Sequence, residues 1–226
     1  MPTDRILFNR KLSLKSTLLV LLGIAAVLGL GMVSYLVIAR ARSMAHLRAS
    51  IPILCEEATR QRDVLLAAIE NYKRALNVYP PDHLLSRAPL SVDAVTNQLL
   101  YELMGTLYDS TNDVFYCSDF PQIRGVDVKR LFNTVRLRNS GDNPGAIGRF
   151  LDVTNAGATT AITERPDTVA LLSFWPSWQG VQSDLYQQID IGTWCYNSSA
   201  PIHNRSGFDL WIEIKTPLTN ILIANW

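Results

Sequence analysis

The stretch Thr17–Ala39, TLLVLLGIAAVLGLGMVSYLVIA, limits the possible folds more than any other part of the chain. It runs for 23 residues without a charge. At about 1.5 Å per residue it extends roughly 35 Å as a helix, enough to cross the hydrocarbon core of a bilayer. It has no polar face, so a helix half-buried in a soluble domain is a poor fit. A secretory leader has an apolar region of only about 7–15 residues, which makes this run too long for one. Ala39 and Ala41 have the small side chains of a cleavage site, and removal of the segment is the competing reading. The run also explains a mean hydropathy of +0.09, which is high for a soluble domain. Arg5, Arg10, Lys11 and Lys15 precede it, and Arg40, Arg42 and Arg48 follow. The positive-inside rule then favours residues 1–16 as a cytoplasmic segment, residues 17–39 as a transmembrane helix, and the rest of the chain outside the cytoplasm.

The helical pattern continues beyond the apolar run. Leu47, Ile51, Leu54, Ala58, Leu65, Ile69, Tyr72 and Leu76 recur at steps of three, four or seven and form one apolar stripe. Charged residues such as Glu56, Arg60, Asp63, Glu70 and Arg74 fill the intervening positions. Residues 40–78 are therefore an amphipathic extension of the membrane helix. Pro52 should kink this helix, and Tyr79-Pro80-Pro81-Asp82 should end it.

Residues 79–226 read as a globular domain that supplies the partner for the stripe. Ser91–Met104 is a predicted helix with Ser91 as N-cap and Gly105 as stop. Asp127–Val135 is a second. Residues 139–163 read as a loop with one helical turn near Ile147–Leu151. Thr168–Phe174 is a strand candidate. Phe208–Lys215 alternates with period two: Phe208, Leu210, Ile212 and Ile214 face one side, and Asp209, Trp211, Glu213 and Lys215 the other. Thr219–Trp226 is the strand after it, and Trp194 and Tyr196 begin the strand before. The predicted class is α+β: a long N-terminal helix, in the membrane and then amphipathic, packed on a small C-terminal antiparallel sheet.

This plan, with IENYKRALNVYPPD at the helix end, NQLLYELMGT after it and TWCYNSSAPIHNRSGFDLWIEI near the C-terminus, resembles type IV pilins and the pseudopilins of type II secretion. The resemblance covers about Thr17–Trp226 in pieces and is poorest over Cys117–Pro166. It implies a pilin-like domain over residues 79–226 and a place in the bacterial cytoplasmic membrane with that domain in the periplasm. The chain also departs from the family. Prepilins have a glycine cut site before the apolar run and a glutamate just inside it; NRKLSLKSTLLVLLG has neither. A carboxylate in lipid is costly without a partner, and its absence implies a chain that is not assembled into a filament in the usual way. The last loop, IKTPLTNILIANW, lacks the carboxylates of the family's calcium site.

Little in the chain points to catalysis. His46, His83 and His203 are scattered, and no HExxH, GxSxG or Walker pattern occurs. Asp109-Ser-Thr-Asn-Asp113 has a trace of calcium-loop spacing without the central glycine or distal glutamate. No enzyme, cofactor or metal is expected. A net charge of +1 with no basic block excludes an electrostatic nucleic-acid surface. Of Cys55, Cys117 and Cys195, the pair Cys117 and Cys195 is the candidate disulfide in an exported domain, with three unpaired thiols as the alternative. Gly23, Gly29 and Gly31 are candidate contacts with other membrane helices. Trp211, on the polar side of its strand, is either covered by the Trp175–Trp178 loop or an exposed anchor for a partner. The expected partners are the lipid bilayer and other membrane protein subunits. The leading expectation is a non-enzymatic, single-pass subunit of a larger membrane complex. The alternatives are a minor pseudopilin and a periplasmic module that binds a ligand with its tryptophans.

Overall fold

A computed structural model describes residues 14–82, 98–117, 120–141, 148–152, 158–162, 172–176, 189–192 and 194–226. The expected cap Ser91, His83 and Trp178 lie outside this set. Two compact units are present, Met1–Ala49 and Ser50–Trp226. The class is α+β, with a long N-terminal helix and small C-terminal sheets.

Helix α1 spans Leu14–Leu76 and includes Pro52. It begins where the apolar pattern begins and stops three residues before the expected Tyr79-Pro80 signal. The stop is Asn77, whose φ of 58° is left-handed. Asparagine tolerates that conformation just past a helix C-terminus. Within the second unit the stripe is buried at Leu54, Ala58, Leu65, Ile69 and Tyr72, and Ala68 joins it. Each fully buried Leu or Ile contributes about 1.5–3 kcal/mol. The seven-residue gap between Ala58 and Leu65 is filled by Gln61, which is wholly buried.

Helix α2 is short, Leu99–Met104, and every residue in it is buried. Gly105 ends it at φ 72°, a conformation that suits glycine, and donates its N–H to the Tyr101 carbonyl. A sheet follows, in a stretch to which the sequence assigned no element. Strands β1 (Thr106–Asp109), β2 (Val114–Cys117) and β3 (Phe120–Arg124) pair antiparallel in sequence. Strand β4 (Ser140–Gly141) adds to β1 in parallel, so this sheet is mixed and not purely antiparallel. Helix α3 (Gly125–Phe132) occupies most of the expected Asp127–Val135 segment and ends at Asn133, again left-handed. Tyr101, Phe115, Ile123, Val128, Phe132 and Leu137 form the core of this half.

No helical turn forms over residues 148–152. Instead the Phe150 and Leu151 N–H groups both donate to the Leu103 carbonyl. Strands β5 (Ala158–Ile162) and β6 (Leu172–Pro176) make a separate antiparallel pair. The first was expected as loop; the second overlaps the Thr168–Phe174 candidate.

The C-terminal sheet centres on β9 (Asp209–Lys215). Strand β10 (Asn220–Ala224) pairs along one edge. The other edge is shared by β7 (Asp190–Ile191), beside Ile214 and Lys215, and β8 (Cys195–Asn197), beside Asp209 to Trp211. Gly192 lies between these two short strands. Its N–H donates to the Glu213 carbonyl at 2.8 Å, and a Cβ there would stand only 2.9 Å from that oxygen. Leu210, Ile212 and Ile214 are fully buried on one face of β9, as their alternation requires.

Candidate functional site

Among the described residues three features stand out: an uncovered apolar helix, a set of buried carboxylates, and an aromatic pocket on the outer face of β9.

The fifteen large apolar side chains from Leu18 to Ile38 retain between 52% and 71% of their accessible surface. A core helix of a soluble domain would bury one side of such a run. Among the described residues, one helix is long and apolar enough to cross a membrane, and this segment supplies that character. Gly23, Gly29 and Gly31 have open space where a Cβ would stand. At about 100° per residue, Gly23 and Gly31 fall within about 80° of each other and Gly29 on a different side. The three glycines therefore do not make one small-residue stripe.

The second group holds the other unit together. Glu102 lies in the apolar run LLYELM and is completely buried. Its Oε1 accepts from Gln98 Nε2 (2.8 Å) and the Arg138 N–H (2.6 Å), and its Oε2 from the Tyr72 hydroxyl (2.9 Å) and the Asn139 N–H (2.6 Å). Burial pushes the carboxyl above the usual glutamate range, and the four donors pull back against it. Burial, reinforced by Glu102, also raises Tyr72, which remains a phenol. Asp82 plays the same part behind the Pro80-Pro81 turn. Its Oδ2 accepts the Ser198 and Ser199 N–H groups at 2.7 and 2.9 Å and the Ser199 hydroxyl at 3.0 Å. The Pro80 carbonyl accepts from the Tyr196 hydroxyl at 3.0 Å. Trp194, fully buried, donates its indole N–H to Gln61 Oε1 at 3.4 Å and so links α1 to the start of β8.

The Asp109–Asp113 stretch is the turn of the β1–β2 hairpin. Asp109 accepts from Asn112 Nδ2 and from the Thr111 and Asn112 N–H groups, which hold it below the usual aspartate range. Tyr108 donates its hydroxyl to Asp113 at 2.9 Å. Among the described residues, no group of three or more His, Cys, Asp or Glu side chains is placed to hold a metal.

The pocket is built from β9 outward. Asp209, Trp211 and Glu213 share one face of the strand. Asp209 is nonetheless buried, because its carboxylate gathers the N–H groups of Ile202, His203 and Asn204 at 2.6, 3.0 and 2.8 Å. This folds the loop before β9 back over the strand. Asn225 clasps the other side: its amide donates to the Phe208 carbonyl and accepts the Leu210 N–H. Trp226 then meets Trp211 edge-on, with centroids 5.9 Å apart, and stacks on His203 at 4.1 Å and 8°. Glu213 stands opposite Leu222 on β10. These side chains enclose an open pocket of about 250 Å³.

Trp211 is half-buried, and its neighbour is Trp226. The side chains of Trp175 and Trp178, in the loop weighed as its cover against an exposed anchor, lie outside the described set. Cys195 is in β8 and Cys117 in β2, on different sheets. The Cys117 side chain is also outside the described set, and so is the predicted pairing. Comparison with known protein families, curated proteins and solved structures found no match to this chain.

Proposed function

We propose that the chain is a single-pass membrane subunit: α1 anchors it through Thr17–Ala39, and its globular unit serves as a structural or accessory part of a larger membrane complex. The observation that carries this reading is the uncovered apolar run at the start of a helix whose later turns, from Leu54 on, are buried in a folded unit. In water such a run would expose apolar surface far beyond what a soluble monomer tolerates. A bilayer removes that cost. The side chains described above hold elements together, and this supports a binding or structural role over an enzymatic one. We place the anchor in a bacterial cytoplasmic membrane on the resemblance to pilin-like proteins, and the globular unit on the periplasmic side on the charge distribution around the span.

A pilin-like origin is supported by the helix-on-sheet layout and the closing β9–β10 hairpin. That layout also favours a second reading, a minor pseudopilin with a degenerate leader. Mass spectrometry of the chain purified from native membranes separates the two. An unprocessed N-terminus supports the accessory subunit; a terminus cut before the apolar run and N-methylated supports the pseudopilin. Blue-native separation of mild-detergent extracts tests the complex itself. Migration at the mass of the lone chain would refute it.

A further inference from the structure

We propose that the pocket on the outer face of β9 receives the guanidinium group of an arginine side chain carried by a partner polypeptide. The wall chemistry sets the charge of the occupant. Two indoles and two carboxylates line the cavity, and among the described residues that line it His203 alone can carry a positive charge. Asp209 has its oxygens held by three backbone N–H groups, so it gives the pocket a fixed negative floor. Glu213 is exposed, and among the described residues no hydrogen bond or ion pair engages its carboxylate. An aromatic wall next to an unused carboxylate attracts a cation through the ring face and through charge-assisted hydrogen bonds together.

The shape favours guanidinium over ammonium. Trp211 and Trp226 meet at 60°, which makes a corner with one flat side. One face of Trp226 is already taken by His203. A planar guanidinium can stack on the remaining indole surface and turn its fork of N–H groups to Glu213, which a point-like ammonium cannot do. Leu222 beside Glu213 provides an apolar rest for the methylene stem of a long side chain. Among the described residues the pocket is open on the strand face, where a side chain from another protein can enter.

This proposal rests on the reading of the chain as a subunit with protein partners, but it does not need the membrane anchor. The test uses the full chain in lipid nanodiscs with its tryptophan indoles labelled with ¹⁵N. The probes are the blocked tripeptides Gly-Arg-Gly, Gly-citrulline-Gly and Gly-Lys-Gly, and ethylguanidinium. The arginine peptide should shift two indole signals saturably, those lost in Trp211→Phe and Trp226→Phe. The Trp194 signal, held by Gln61, should stay in place and report an intact fold. Citrulline should bind at least about tenfold more weakly, since it keeps the shape and loses the charge. Glu213→Gln, an exposed and isosteric change, should weaken the arginine peptide about fivefold or more. Equal binding by citrulline, an unaffected Glu213→Gln variant, or no saturable shift overturns the proposal. Lysine binding as tightly as arginine overturns the guanidinium assignment, and ethylguanidinium binding as tightly as the peptide overturns the polypeptide source. Loss of membrane association in other experiments leaves this binding result standing, so the two readings fail separately.

Discussion

The phenolic hydroxyl of Tyr72, on the long helix, donates to the buried carboxylate of Glu102 on α2 at 2.9 Å. Both residues are fully buried, and the contact spans thirty positions of sequence. Tyr72→Phe removes one donor from a buried charge and should destabilise the globular unit by about 1–3 kcal/mol. Glu102→Ala leaves Tyr72, Gln98, Arg138 and Asn139 without their acceptor and should cost about 3 kcal/mol or more. Chemical denaturation of the detergent-solubilised chain, followed by tryptophan fluorescence, measures both.

The same carboxyl makes stability depend on pH. Burial raises the Glu102 pKa in the folded state above its unfolded value. Between those two values the folded chain holds a proton that the unfolded chain has released. The stabilising contribution of this group is therefore fully present below the unfolded value and is lost as pH rises through the folded one. Glu102→Gln lacks this titration. The Tm of the wild type should fall relative to that of the variant as pH is raised from the ordinary glutamate range toward neutrality. Parallel Tm profiles would contradict the assignment.

Asp82 fastens the turn after α1 to the end of β8. Asp82→Ala frees two backbone N–H groups and a hydroxyl and should cost about 1–3 kcal/mol. The loss should be local first: amide exchange at Ser198 and Ser199 should quicken more than exchange at Leu210 or Ile212. Uniform acceleration across the sheet would mean that Asp82 has no such local role.

Trp194 fills the space beside Gln61, the one polar break in the buried stripe of α1. Trp194→Ala should cost about 3–5 kcal/mol through the cavity it leaves. Gln61→Leu strands the indole N–H and should cost about 1–3 kcal/mol. A Gln61→Leu variant as stable as wild type would show that this 3.4 Å contact adds nothing.

Much of the fold was legible because it is periodic. The stripe from Leu54 to Tyr72 shows the helical period, and Phe208 to Lys215 shows period two. The helix end was misplaced because Pro80-Pro81 is a strong stop, while Asn77 ends the helix earlier by accepting a left-handed backbone. The β1–β2 hairpin was missed because four-residue strands carry too little alternation to register. Val114-Phe115-Tyr116 after an Asp/Asn-rich turn was the available signal. The carboxylate anchors also went unread. Glu102 alone inside LLYELM was a visible anomaly, but Asp82 and Asp209 look like ordinary turn residues until the chain folds back on them. Trp211 was placed on the outer face by alternation. Its pairing with Trp226 depends on the Asn225 clasp and the Asp209 loop, which no local pattern announces.

The most direct test of a membrane anchor is flotation of native membranes after alkaline carbonate extraction, with wild type beside a variant carrying Leu22→Arg and Val27→Arg. An apolar span in lipid keeps the wild-type chain with the floating membranes, and two arginines in the span send the variant to the soluble fraction. Release of folded wild-type chain into the carbonate supernatant would contradict the anchor.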